Sequence, residues 1–145
     1  MASFLKFNKF SESLCTGLCG DLTAGAALRF ALTNTAPTAA TDTVFDSVTK
    51  HPAPAAANGY GTTGRNAVIS GSAETGGVYT LATTTDIVIT ATAGGIGPFR
   101  YVILYCLGGT LPLVGYWDYG SSITLASGET FTIDVTTSLF TITTT

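Results

Sequence analysis

One histidine, three cysteines and nine acidic residues are the groups in this 145-residue sequence with the means to do chemistry. A Ser–His–Asp or Cys–His site needs an imidazole beside its nucleophile, so any such site would have to use His51. That residue stands between Lys50 and Pro52 in a long stretch without apolar periodicity. No GxSxG elbow is present, and no cysteine sits in a local catalytic signature. His51 is therefore expected as an exposed loop residue. Asp118 and Asp134 offer one pair of carboxylates for glycosidic hydrolysis on a β-scaffold, with nothing in their spacing to bring them together. The glycines of GGIGPF at 94–99 lack the Lys-Ser/Thr of a P-loop and the helix-opening pattern of a dinucleotide fingerprint. Pro98 leads instead towards a strand, so these glycines are expected to supply positive φ to a turn. The chain is expected not to be an enzyme.

Metal and cofactor chemistry is equally sparse. A single His and the CxxxC of Cys15 and Cys19 do not make a zinc site without distant carboxylates. The acids are dispersed and follow no EF-hand spacing, which leaves only a calcium site of loop carboxylates and carbonyls as an alternative. No cofactor is expected. Cys15 and Cys19 lie four apart on an expected helix, where a bridge would be strained, and Cys106 lies in an apolar strand. Three reduced, partly buried thiols are the expectation.

Binding is better provided for. Gly115-Tyr116-Trp117-Asp118-Tyr119 concentrates side chains that anchor protein interfaces and stack on sugars. On a strand, Tyr116 and Asp118 face one way, and Trp117 and Tyr119 the other. The competing reading is that the one Trp belongs to the core.

The elements that must position these residues follow from composition. Charged residues make up 10% of the chain, against about a quarter in an average soluble protein. The shortfall is filled by Thr, Gly, Ser and Ala, and β-branched Thr suits a pleated surface. One domain spanning 1–145 is expected, all-β, as an antiparallel sandwich or jelly-roll-like barrel with a short N-terminal helix. The helix is placed at 4–18, because Phe4, Phe7, Phe10, Leu14 and Leu18 recur every three or four residues. Ser3 is its expected cap, and Gly17 or Gly20 its end. The stripe packs on a sheet or on another subunit.

Leu28 to Asn34 alternates as a first strand. Residues 36–66, with Pro37, Pro52, Pro54 and NGYGTTG at 58–64, read as an extended arm on a neighbour or as a surface loop. Further strands are expected at 67–73, 78–83, 86–92, 99–107, 111–119, 121–125, 130–136 and 139–143. FRYVILYCL at 99–107 is apolar on both faces and is expected at the centre, covered by the core on one side and by the helix or a partner on the other. The terminal TITTT is polar enough to fray.

A net charge of −3 with six scattered Lys and Arg argues against nucleic-acid binding. The longest apolar run, Tyr101 to Leu107, is too short to cross a bilayer, and MASFLKFNKF lacks the apolar core of a secretory signal. Use in a cytoplasm, or export inside an assembly, is expected. So weakly charged a surface suits a protein covered by its neighbours, or a neutral secreted sandwich.

Several segments together carry a resemblance. They are FLKFNKF at 4–10, LTNTAP at 32–37, NGY at 58–60, IGPFRYVILY at 96–105 and PLVGYWDYGSSITLASGETFTIDV at 112–135. The chain resembles a group of small structural proteins of tailed bacteriophages, placed among virion and head-decoration proteins. The resemblance covers most of the chain, is densest in the last fifty residues, and carries no catalytic residue. It implies a virion protein that decorates or cements the capsid through contacts with the major capsid protein, and that self-associates as a homotrimer. Phe4, Phe7, Phe10, Tyr60, Tyr116 and Trp117 are the expected contact residues. The alternatives are a tail or fibre component that binds another virion protein or a host glycan, and a carbohydrate-binding or hydrolytic sandwich.

Overall fold

The computed structural model describes residues 3–24, 27–54, 58–61, 63–83, 85–135 and 138–143. It is an all-β, sandwich-like structure with antiparallel sheets and one short helix. In chain order the elements are β1 (Phe4–Lys6), α1 (Phe10–Cys15), β2 (Leu28–Thr33), β3 (Arg65–Asn66), β4 (Ile69–Thr75) and β5 (Val78–Thr83). β6 (Ile87–Thr90), β7 (Ile96–Cys106), β8 (Leu113–Leu125), β9 (Thr130–Ile133) and β10 (Phe140–Thr143) follow. One sheet has five strands in the order β1-β8-β7-β2-β3. Opposite it lie a three-stranded sheet, β10-β5-β4, and a two-stranded one, β6-β9. Among the described residues no helix is long and apolar enough to cross a membrane.

β7 is the central strand, as its uninterrupted apolar sequence demands, and every residue from Tyr101 to Cys106 is buried. Alternation divides its side chains between two cores. Val102, Leu104 and Cys106 face the space between the layers, where they join Leu28, Phe30 and Leu32 of β2. Ile103 and Tyr105 face the other way and join Phe7, Ala31, Phe45 and Leu113 in a second cluster. That outer face is covered not by the helix but by another part of the chain. The segment after β2 folds back over it: Val44 bridges Pro112, and the Phe45 ring stacks on Tyr105 at 4.2 Å. The described part of the expected arm is thus packed on its own sheet; residues 55–57 and 62 lie outside the described residues.

The expected helix at 4–18 is shorter and starts later. Phe4–Lys6 is a strand, with Phe4 opposite Trp117 and Lys6 opposite Gly115, and helix covers only Phe10–Cys15. Lys9, not Ser3, occupies the N-cap and makes no side-chain capping bond. The end is nearer the expectation, since Thr16 is the C-cap and Gly17 follows with φ of 72°. Pairing with β8 holds residues 4–6 extended and sends Phe4 and Phe7 to opposite faces of the sheet. Phe4 and Phe10 pack on the inter-layer core, Phe7 enters the outer cluster, and Leu18 is exposed.

The strands expected at 111–119 and 121–125 form one continuous strand, β8. The strand expected at 130–136 ends at Ile133, and residue 136 lies outside the described residues, as do residues 144–145 of the terminal TITTT.

Candidate interaction surface

The GYWDY segment divides as alternation requires. Tyr116 leans on the outer cluster with its ring 5.3 Å from Phe7, while Trp117 faces the inter-layer side, 4.8 Å from Phe4 and 6.0 Å from Phe30. Both are half-buried. Tyr119, on the Trp117 side, is 57% exposed. Trp117, Tyr119, Val102 and Phe131 line a cleft of about 240 Å³ that β9 closes on its far side. β1 pairs with β8 only at Gly115 to Trp117, so β8 continues beyond β1 at Tyr119 while still paired with β7.

A second, larger groove of about 340 Å³ lies at the seam between the layers. Phe4, Phe10 and Leu14 form one wall; Phe140 and Ile142 of β10 form the other. Phe10 meets Phe140 edge-on at 5.5 Å, which fixes the floor. The seam stays open because β1 and β10 are both terminal strands of their sheets and, among the described residues, no strand bridges them.

Of the expected contact residues, Phe4 and Trp117 are half-buried and border these features, while Tyr116 is half-buried against the outer cluster and lines neither. Phe7, Phe10 and Tyr60 are buried within the chain itself. The Tyr60 hydroxyl accepts the Leu32 N–H at 2.5 Å, and burial pushes its phenol well above the usual range. Tyr60 therefore ties the segment before β3 to β2. Tyr119, Leu14, Phe140 and Ile142 were not singled out as contacts. Alternation already put Tyr119 on the Trp117 face, whereas nothing local to Phe140 foretells its meeting with Phe10.

The candidate chemical groups are otherwise engaged. Asp118 accepts a forked pair of bonds from Arg100, Nε at 2.7 Å and Nη2 at 2.8 Å, and a third from the Gly120 N–H. The Arg100 guanidinium, then the Gly120 amide, hold its carboxyl below the usual range, so it stays ionised and is unsuited to donate a proton. Among the described residues no cluster of three or more His, Cys, Asp or Glu is placed to hold a metal ion.

His51 is not the exposed loop residue expected from its neighbours: its side chain is 0% exposed. The ring stacks 5.7 Å from Phe45, Nδ1 accepts the Asp46 N–H at 3.2 Å, and Nε2 lies 3.6 Å from Asp42 Oδ2. Burial pushes its pKa below the usual value, against the opposing pull of Asp42 and Asp46. Asp46 in turn accepts the Val48 and Thr49 N–H groups and the Thr49 hydroxyl. The imidazole is the internal brace of the covering segment.

The thiols also depart from expectation. Cys19 and Cys106 form a disulfide across 87 residues with Cα atoms 5.2 Å apart; Cys15 remains free and exposed. Spacing along a helix bore only on Cys15 and Cys19. The chain after α1 instead passes over the end of β7, where Leu107 donates its N–H to Ala27 O, and brings Cys19 to Cys106.

No family model, curated protein or solved structure matches the chain.

Proposed function

We propose that this chain is a structural protein of a tailed-bacteriophage virion, most consistent with a decoration or cement protein on the capsid, and that it acts through contacts rather than catalysis. The observation that carries the reading is the open apolar seam between β1 and β10, where Phe4, Leu14 and Ile142 are incompletely covered by the chain. A seam of this kind takes an apolar ridge of a neighbouring protein, here the major capsid protein. The resemblance of 96–105 and 112–135 to phage structural proteins supplies the particle. The Cys19–Cys106 disulfide supports the same location, because disulfides persist on virion surfaces outside the reducing cytosol. Mixing labelled protein with purified heads and, separately, purified tails of the encoding phage tests the reading. Saturable binding to heads, weakened by Leu14→Glu or Ile142→Glu, is expected. Binding to tails alone would overturn the capsid assignment.

A second reading rests on the other cleft. Trp117, Tyr119 and Phe131 present aromatic surface of the sort that stacks on the apolar face of a sugar. In that case the chain is a tail or fibre component that binds a host glycan, and sugar addition shifts Trp117 fluorescence.

A further inference from the structure

We infer that the outer edge of β4 is a self-pairing edge, through which two copies of the chain join their three-stranded sheets into one continuous sheet about a two-fold axis. β4 is the last strand of the order β10-β5-β4, so among the described residues its outer row of N–H and C=O groups has no strand beside it. It has seven residues, and six of them, Ser70 to Thr75, are exposed. The other terminal strands of the described structure are short: three residues in β1, two in β3, and four each in β6, β9 and β10. Short edges are one of the ways that proteins avoid edge-to-edge association. β4 alone lacks that protection.

The other protections are missing too. ISGSAET contains no Lys, Arg or Pro, and its one bulge lies at the start, between Ile69 and Gly71. Gly71 to Thr75 is a regular run. Its single charge does not guard the edge, because Glu74 Oε1 turns back to accept the Gly77 N–H at 2.7 Å. The face of the strand is open at Gly71, where an added Cβ would meet nothing within 4 Å.

The hairpin turn shows which groups face outwards. Thr75 pairs with Val78 across Gly76 and Gly77, whose φ angles are 61° and 83°, the signature of a two-residue type I′ turn. In such a hairpin the pair flanking the turn exchanges both backbone bonds, and alternate pairs do so thereafter. Thr75 and Ala73 therefore direct their N–H and C=O towards β5. Ser72 and Glu74 direct theirs to the free edge.

Only one arrangement of two β4 edges uses those groups fully within the regular run. An antiparallel pair centred on Ala73 sets Ser72 against Glu74 of the second copy, and Glu74 against Ser72. Each of these pairs exchanges two backbone bonds. Ala73 meets Ala73, Gly71 meets Thr75, and each carboxylate meets a hydroxyl rather than its like charge. A parallel, in-register pair would instead align Glu74 with Glu74, a repulsive contact. The second copy is thus the partner whose hydrogen-bonding groups and charge both fit. This two-fold pairing differs from the three-fold association expected from sequence, and it does not depend on whether the chain belongs to a virion.

Sedimentation velocity of the full chain, with no other component present, tests the inference. The wild-type chain is expected to sediment at twice 14.8 kDa at micromolar concentration. Ser72→Pro removes an outward N–H and leaves the β5 ladder intact, so it is expected to give a folded monomer. Ala73→Lys, which sets two like charges face to face, is expected to do the same and decides the matter if the proline variant fails to fold. In a Cys15→Ser background, Ala73→Cys is expected to oxidise to a covalent dimer, because opposed Cα atoms of a non-bonded antiparallel pair lie about 4.5 Å apart. A wild-type monomer or trimer would overturn the inference, as would a Ser72→Pro or Ala73→Lys protein that remains dimeric.

Discussion

The Nδ1 atom of His51 accepts the backbone N–H of Asp46 at 3.2 Å, and this bond requires a neutral ring. The ring proton then sits on Nε2, which faces Asp42. A second proton would have to enter at Nδ1, against an N–H already pointing there. Asp42, Asp46 and Lys50 are the charged groups around the ring, with Phe45 stacked on its face. Because the folded pKa lies below 6.5, the unfolded chain binds the proton more readily. Stability from this group is complete above about pH 6.5 and is lost as pH falls below it towards the folded value. Urea midpoints between pH 7 and pH 5 are expected to fall, and His51→Gln, which keeps an acceptor but does not titrate, is expected to flatten that slope.

Asp46 sets a separate and lower window. Bonds from Thr49, chiefly its hydroxyl, and from Val48 hold its carboxyl down at about 2. Its contribution is present above about pH 3.9 and lost only as pH falls towards the folded value. Asp46→Asn is expected to weaken the wild-type chain at pH 7 and to differ little from it near pH 2, as read by thermal unfolding.

The Phe45 ring lies between His51 and Tyr105, parallel to both within about ten degrees. Phe45→Ala is expected to cost about 3–5 kcal/mol, the range for removing a buried aromatic. Urea unfolding measures the loss, and amide exchange is expected to rise in residues 44–51 before it rises in β7.

Gly115 is small because the Phe4 ring occupies the space where a Cβ would stand, 2.2 Å away. Gly115→Ala is expected to cost about 1–3 kcal/mol by overpacking and to detach β1. The penalty is expected to shrink in a Phe4→Ala background, since the colliding ring is gone; a double-mutant cycle reads the coupling.

The disulfide gives a direct chemical readout. Denatured without reductant, the chain is expected to show one titratable thiol, Cys15, and with reductant three. Breaking a closure of 87 residues is expected to lower stability by about 2–4 kcal/mol. Three thiols without reductant would contradict the pairing.

Composition and local pattern were enough to read the β-class, the central position of β7 and the division of Tyr116 from Trp117. Each depends on neighbours one or two residues away. The failures are long-range. The Phe4–Phe7–Phe10 spacing fits a helical stripe and fits equally a strand that sends Phe4 and Phe7 to opposite faces; only pairing with β8 decides between them. His51, flanked by Lys50 and Pro52, looks exposed until Phe45 and Tyr105 are seen to stack beneath it. Cys19 finds Cys106 because the chain after α1 crosses the end of β7, which no spacing encodes. The seam between β1 and β10 joins opposite ends of the sequence, so neither half announces it.

The claim that this chain is a virion structural protein is tested most directly by weighing it in the particle. Purified particles of the encoding phage would be digested, and peptides of this chain quantified against those of the major capsid protein with labelled standards. A fixed ratio between the two, unchanged through repeated gradient purification, is expected. Absence from purified particles, or an amount that falls with each gradient, would contradict the claim.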